Sequence, residues 1–318
     1  MSRQTAIPVK IAEAVPVTGS VRRFALVPAD GGRLPPFSSG SHVVVTLPLR
    51  NRLKRNAYSL IGRPEETGYY EIAVRRTDPS RGGSVFLHEA VGVGDILAID
   101  PPFNLFPLAA TARRHVLIAG GIGITPILSH LEALAKTGAP FELHYALRSW
   151  DEGPFAKELM TRHAGRVRLY HSTLGERLNP THMLADQPLG THLYVCGPAG
   201  LMREVVSAAK GLGWPERYLH TEHFAAPGVM NPFAVVLARS GVTIAVDGET
   251  TLLEALEAAG VAVPNLCRGG ACGQCFTTML DGAADHRDFF LSAETRAEGK
   301  AIMPCVSRAA GDRLVLDL

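Results

Sequence analysis

Three cysteines share one glycine-rich stretch, Cys267-Arg268-Gly269-Gly270-Ala271-Cys272-Gly273-Gln274-Cys275, and a fourth, Cys305, follows thirty positions after the third. No other feature of the chain restricts its fold as much. The spacing C-x4-C-x2-C with a distant fourth cysteine is that of a plant-type [2Fe–2S] cluster. Four thiolates must converge on two irons, three of them from one loop that wraps the cluster. Gly269, Gly270, Ala271 and Gly273 let that backbone close in and aim N–H groups at sulfur, which tunes the potential together with local exposure. A structural zinc site usually draws its ligands from two short C-x2–4-C pairs, and here the fourth cysteine stands alone. Cys267, Cys272, Cys275 and Cys305 are the expected ligands, and the fifth cysteine, Cys196, stands apart from them.

The rest of the composition sets the frame for that loop. A chain of 318 residues is expected to hold two or three domains, and 46% apolar against 19% charged residues is an ordinary globular balance. The net charge of +2 gives no global pull toward nucleic acid. It is unevenly spread. From Phe233 onward there are 7 Lys or Arg against 11 Asp or Glu, a net of −4, and the preceding residues hold 25 and 19, a net of +6. An acidic tail module on a basic body is expected to have its own origin or partner. The first residues, MSRQTAIPVK, lack the apolar core of a signal peptide. The longest apolar stretches, Val116–Ala119 and Phe233–Ala238, are too short to span a bilayer. Without an export signal, a disulfide framework is not expected. The reading is a cytoplasmic, soluble protein.

Three segments follow. Val21–Val27, His42–Leu47, Tyr69–Val74 and Ile96–Ile99 are short apolar runs punctuated by the turn-rich stretches Ala29–Ser41 and Arg63–Gly68, the pattern of an antiparallel β-barrel. From Arg113 strands and helices alternate. His115–Ala119, Phe141–Leu147, Val167–His171 and Leu193–Val195 read as strands. Helices are expected around Ile127, Leu128, Leu131 and Leu134, over Pro154–Arg162, and after Gly200 through Lys210. That alternation indicates a doubly wound parallel α/β sheet. Ala225–Pro232, AAPGVMNP, has the composition of a linker. Phe233–Leu237 and Thr243–Val246 then read as a strand pair, and Thr251–Ala259 as a short helix with Leu252, Leu253 and Leu256 inward.

Two strand–turn–helix junctions carry ligand chemistry. Gly120-Gly121-Ile122-Gly123-Ile124-Thr125-Pro126 puts free N–H groups and a helix N-terminus where an anion would sit, with Pro126 suited to the first helical turn. It is not the full G-x-G-x-x-G dinucleotide fingerprint, so a plain tight turn is the alternative. Cys196-Gly197-Pro198 repeats the arrangement at the carboxyl end of another strand, where ligands bind in open α/β sheets; a buried thiol is the ordinary reading of a lone cysteine. Earlier, Asn56-Ala57-Tyr58-Ser59-Leu60 closes a strand, and Arg81-Gly82-Gly83-Ser84 opens a helix expected over Val85–Ala90. An arginine, N–H groups and a hydroxyl at that start suit a phosphate, and Tyr58 suits a flat ring. Taken singly, these are also what a packed tyrosine and a loop look like.

Tyr-Ser-Leu, RGGS, GGIGITP, CGP and CRGGACGQC in this order resemble the phthalate dioxygenase reductase family, which includes the vanillate demethylase reductases. The resemblance covers essentially the whole chain. It implies an FMN-binding barrel over 1–109, an NADH-binding domain over 110–224, a linker over 225–232 and a β-grasp plant-type ferredoxin domain over 233–318, the first two forming a ferredoxin reductase-like pair. It further implies roles by residue. Tyr58 and Ser59 match the flavin edge, and Arg81, Gly82, Gly83 and Ser84 the FMN phosphate loop. Gly120, Gly121, Gly123, Ile124, Thr125 and Pro126 match the nucleotide pyrophosphate turn, and Cys196, Gly197 and Pro198 the turn beside the nicotinamide. Ser59, Thr125 and Cys196 stand as the catalytic candidates. The family pattern is Arg-x-Tyr-Ser, but Asn56 stands two before Tyr58 and Arg55 one residue early, so Arg55 is the remaining candidate for the flavin phosphate. In Arg148-Ser149-Trp150-Asp151 the arginine and serine suit a 2′-phosphate and Asp151 opposes one, which favours NADH. The implied activity is that of an NADH-dependent oxidoreductase passing electrons through FMN and the cluster to a Rieske-type terminal oxygenase, with no nucleic acid or membrane partner and a monomeric chain. Two rivals stand beside it. A FAD-dependent reductase of another monooxygenase generally carries its ferredoxin module first, and a redox sensor needs neither nucleotide turn.

Overall fold

The computed structural model describes residues 6–50, 52–78, 80–224 and 231–318. Most of the expected linker therefore lies outside the described residues, with Asn231 and Pro232 inside them. Among the described residues no helix is long and apolar enough to cross a membrane.

The first sheet contains β1 (Ile7–Thr18), β2 (Val21–Pro28), β3 (Ser41–Leu49), β4 (Arg52–Ser59), β5 (Tyr70–Arg75), β6 (Ile96–Ile99) and β7 (Phe103–Asn104), with helix α1 (Gly83–Glu89) between β5 and β6. Its order is β4-β3-β6-β1-β2-β5, with β7 paired to β3. Leu60, just after β4, bridges Ile72 in β5 and joins the two outer strands, which closes the sheet into the expected barrel. Phe24, Leu26, Val43, Val45 and Leu47 fill it, all fully buried. β1 was absent from the sequence expectation because Pro8 and Pro16 interrupt its run. The fold accommodates it with bulges between Ile11 and Glu13 and between Pro16 and Thr18.

The second sheet is wholly parallel: β8 (Arg114–Gly120), β9 (Phe141–Leu147), β10 (Val167–His171), β11 (Thr191–Cys196) and β12 (Leu219–Glu222), in the order β10-β9-β8-β11-β12. Val116, Leu117, Ile118 and Ala119 are each 0% exposed, because helices cover both faces, and this is why β8 reads as an unbroken apolar run. α2 (Ile124–Thr137) packs one face through Ile127, Leu131 and Leu134, and α5 (Ala199–Gly211) the other through Met202, Val205 and Ala209. α3 (Ala156–Arg162) starts two residues later than expected, because Phe155 takes a left-handed φ of 63° at its N-cap. α4 (Pro180–Ala185) and β12 carried no expectation; β12 is a short edge strand of half-buried, mostly polar residues. Strand order reverses between β8 and β11, so their carboxyl ends flank the switch point where α/β sheets bind ligands.

The third sheet contains β13 (Phe233–Leu237), β14 (Thr243–Val246), β15 (Thr277–Asp285), β16 (Ala301–Ile302) and β17 (Arg308–Leu316), ordered β14-β13-β17-β15-β16, with β13 parallel to β17 and the other pairs antiparallel. It carries α6 (Leu252–Ala258) and α7 (Ala293–Ala297), and the mixed sheet with α6 packed on it is the β-grasp layout. A capping box starts α6: the Glu254 N–H donates to Thr251 Oγ1 at 3.1 Å, and the Thr251 N–H to Glu254 Oε2 at 2.8 Å. Leu252, Leu253 and Leu256 are buried, as expected.

By internal contacts the chain forms two compact units. One comprises Met1–Leu47, Tyr58–Asp78 and Ser84–His223, and the other Pro48–Ala57, Pro79–Gly83 and Phe224–Leu318.

Candidate functional site

In the second unit, the loop between α6 and β15 carries Cys267, Cys272 and Cys275, and Cys305 follows β16. Three of the four are buried, Cys272 is half-buried, and none is in a disulfide. They associate in two pairs. The sulfurs of Cys275 and Cys305 lie 3.3 Å apart, and Cys267 shares a hydrogen bond with Cys272. Within each pair the contact between the sulfurs favours one of them as thiolate. Cys267 is drawn down to about 5 by Cys272, with the Gly269, Ala271 and Cys272 N–H groups assisting, and Cys272 is pushed up in return. Cys305 likewise lowers Cys275 and is itself raised. The approach depends on glycine. At Gly273 φ is 76°, and a Cβ there would lie 2.4 Å from the Phe290 ring. Among the described residues no three His, Cys, Asp or Glu side chains close around a single ion. Two thiol pairs, one within the loop and one joining the loop to Cys305, suit two irons rather than one zinc.

In the first unit, the turn after β8 and the turn after β11 meet backbone to backbone. A Cβ on Gly123 would lie 2.3 Å from the Cys196 carbonyl oxygen, and one on Gly197 would lie 2.9 Å from both Gly120 Cα and N. Neither side has room to give, so glycine is required by this contact as well as by any ligand. Gly121 is left-handed (φ 54°), and Tyr145 Oη donates to its carbonyl at 3.0 Å. Gly121–Gly123 form a single 3-10 turn, and α2 begins at Ile124 without a side-chain cap. Ile124, Thr125 and Pro126 are buried, and Thr125 Oγ1 donates to the Ile122 carbonyl at 2.9 Å. The Thr125 side chain thus fastens the turn, leaving backbone N–H groups as its contribution to an anion. Pro198 caps α5 with an extended backbone.

Cys196 is fully buried at the end of β11 and lies in parallel register with Glu222 at the end of β12. Burial raises its thiol well above the usual range, and Glu222 adds to the shift. Glu222 was missed in the sequence. Part of the residue reaches solvent, but its Oε2 is covered and has no partner among the described residues, and burial pushes the carboxyl up to about 8. The available signal was an acidic residue closing the short run Leu219–Glu222, too polar to be read as a strand.

The flavin candidates are distributed over both units. In the first, Ser59 is 5% exposed and its Oγ has no partner among the described residues, which suits a polar ring edge; Tyr58 beside it is half-buried. Ser84 Oγ accepts from the Thr77 N–H at 3.3 Å. In the second, the Arg81 guanidinium is weakened by burial first, is supported by Glu254, and is further weakened by Arg52 and Arg287. Cations crowded in this way suit a phosphate. Gly82 is left-handed (φ 95°), and its N–H donates to Ser80 Oγ at 3.1 Å. Arg55 Nη1 lies 3.8 Å from Glu257 Oε1. After β9, Arg148 pairs with Glu152 at 3.6 Å in an exposed position.

Over nearly its whole length the chain is similar to known proteins. The profile of a 2Fe-2S iron-sulfur cluster binding domain matches residues 235–310. A solved structure described as phthalate dioxygenase reductase, a modular structure for electron transfer from pyridine nucleotides to [2Fe-2S], superimposes with a TM-score of 0.89 at 34% identity, over 98% of each chain. The chain belongs to the phthalate dioxygenase reductase family. As a member of that family it is an oxidoreductase built from flavin, nucleotide and ferredoxin modules, its cofactors are FMN, NADH and a [2Fe–2S] cluster, and it is the reductase component of an oxygenase system. Curated relatives include the Ectopseudomonas mendocina (strain ymp) heme-dependent oxidative N-demethylase beta subunit, 47% identical over 99% of both chains. The Escherichia coli (strain K12) carnitine monooxygenase reductase subunit is 46% identical over 100% of both. Residues 97–219 also match the N-terminal domain of the dimethylamine monooxygenase subunit DmmA-like family.

Proposed function

We propose that this chain is the NADH-oxidising, monomeric, cytoplasmic reductase of a Rieske-type terminal oxygenase, with modules over 1–109, 110–224 and 233–318 joined by 225–232. The observation that supports it most is the two-by-two pairing of Cys267 with Cys272 and Cys275 with Cys305, in a chain that also carries two apposed ligand turns.

When bound, the flavin exchanges electron pairs for single electrons and the cluster carries single electrons to the oxygenase. The chain's own residues position these groups. Gly120, Gly121 and Gly123 offer backbone N–H groups to the nucleotide pyrophosphate, with Ile124, Thr125 and Pro126 fixing the turn. Gly197 and Pro198 shape the neighbouring lip. Cys196, kept a neutral thiol by burial, would stand at the nicotinamide end of the site without adding charge. Ser59 Oγ would hold the flavin edge, Tyr58 would lie beside its ring, and Arg81, Gly82, Gly83 and Ser84 would take its phosphate. Cys267, Cys272, Cys275 and Cys305 hold the two irons. Asp151, exposed after β9, favours NADH over its 2′-phosphorylated form.

A second reading is supported by the 47% identical relative, whose name describes a heme-dependent oxidative N-demethylase, and by the DmmA-like match. In that case the acceptor is a haem protein. The two are separated by mixing the purified protein and NADH with candidate Rieske and haem oxygenases and measuring substrate conversion. Turnover with a Rieske oxygenase is expected. Turnover confined to a haem oxygenase would replace the first reading with the second.

A further inference from the structure

Glu257, on α6, is shared by two guanidinium groups from distant parts of the sequence. Arg268 Nη2 donates to its Oε2 at 2.6 Å and Nη1 to its Oε1 at 2.8 Å. Arg55 Nη1, on β4, stands 3.8 Å from the same Oε1. Arg268 directly follows the first cluster cysteine. Its side chain is only 5% exposed, and its backbone is left-handed at φ 49°. For a residue with a Cβ that conformation is strained and persists only where neighbours hold it. The two-pronged bond to Glu257, with a further bond to Asn265 Oδ1 at 2.9 Å, is what holds it. Arg55 is one of three β4 cations that meet carboxylates of this helix or of the turn before it. Arg52 pairs with Glu249 at 3.3 Å, and Lys54 with Glu254 at 2.7 Å in a site where both side chains are nearly covered.

The charges matter to the cluster because reduction adds a negative charge to it. Arg268 directly follows the cluster cysteine Cys267 and is held within the loop by Glu257, so its positive charge favours the reduced state. Glu257 opposes that effect, and Arg55 in turn offsets Glu257. We propose that Glu257 is a positioning residue for the cluster, tying Arg55 of β4 to the cluster loop at Arg268, and that this three-charge relay sets the cluster's reduction potential. Arg55 then serves the iron–sulfur loop rather than the flavin phosphate. The proposal rests on the reading that the four cysteines hold a [2Fe–2S] cluster.

The test uses the purified holoprotein and reads the midpoint potential of the cluster by redox titration followed by electron paramagnetic resonance. Glu257→Gln removes a negative charge and is expected to raise the potential. Arg55→Gln removes a positive charge and is expected to lower it, with flavin content unchanged. Arg55→Lys is expected to return it toward the wild-type value. A loosened loop has no reason to move the two variants in opposite directions, so the opposed signs separate the relay from general damage. Shifts of the same sign, no shift in either variant, or loss of flavin from Arg55→Gln with the cluster potential unmoved would each overturn the proposal. If Glu257→Gln fails to assemble a cluster, Glu257→Asp, which keeps the charge, is expected to hold the wild-type potential, and a shift comparable to that of Arg55→Gln counts against the relay. Absence of iron–sulfur absorption from the wild-type protein itself would instead refute the cofactor reading on which the proposal stands.

Discussion

Replacing Glu222 with Gln removes a titration that the fold makes unfavourable, and the effect has a definite sign. Burial raises the Glu222 carboxyl to about 8, from an ordinary 4.5. Between those values the folded chain holds a proton that the unfolded chain has already lost. Wild-type stability therefore declines as pH rises from the unfolded pKa, and the penalty levels off above the folded one. Each tenfold change in proton affinity is worth about 1.4 kcal/mol, so the full penalty is at most about 5 kcal/mol, and the part accumulated between pH 5.5 and 8.5 is about 3 kcal/mol. Solvent reaching part of the residue reduces that to about 1.5–3 kcal/mol. Glu222→Gln should leave the wild type behind by that amount as pH rises. Hydrogen exchange of peptides from β11 and β12, corrected for the intrinsic pH dependence of exchange, reports the local opening free energy at both pH values. A difference between variant and wild type that stays constant with pH, or shrinks toward alkaline pH, would refute the argument.

Cys196→Ala should leave the visible spectrum of the cluster intact and slow flavin reduction by NADH about tenfold or more, a barrier increase of about 1.4 kcal/mol; stopped-flow absorbance checks it, and cluster loss would contradict the assignment. Gly123→Ala drives a methyl group into the Cys196 carbonyl, and overpacking of this kind costs about 1–3 kcal/mol. A lowered thermal midpoint together with weaker NADH binding is expected. His130 and His42 are held neutral by burial, down to about 3 and about 4. Because the unfolded chain takes up those protons first, stability should fall as pH drops below 6.5, by about 4 kcal/mol for the two together at pH 5; thermal unfolding between pH 7 and 5 measures it.

The elements legible in the sequence were those whose side chains are buried in a regular pattern. β8 could be read because both its faces are covered, and α6 because Thr251 and Glu254 begin it with a reciprocal cap. β1 and β12 could not, since the prolines of one and the polar residues of the other contradict strand preference, and tertiary pairing overrides that preference. The cluster ligands were legible because their spacing is a covalent requirement of the cofactor. Glu222 was not, because its importance comes from lying beside Cys196 on the neighbouring strand, a relation that only strand register creates. The approach of Arg55 to Glu257 is likewise a relation that only the fold creates.

The contact between Gly120, Gly123, Cys196 and Gly197 limits how this enzyme can be redesigned. The two turns proposed above for the pyrophosphate and the nicotinamide share one backbone seam, so neither can be widened or reshaped without displacing the other. Coenzyme preference is therefore better altered from the periphery. Arg148, Trp150 and Asp151 after β9 are exposed, and an Asp151→Asn exchange there is expected to soften the proposed bias against a 2′-phosphate while leaving the seam as it is.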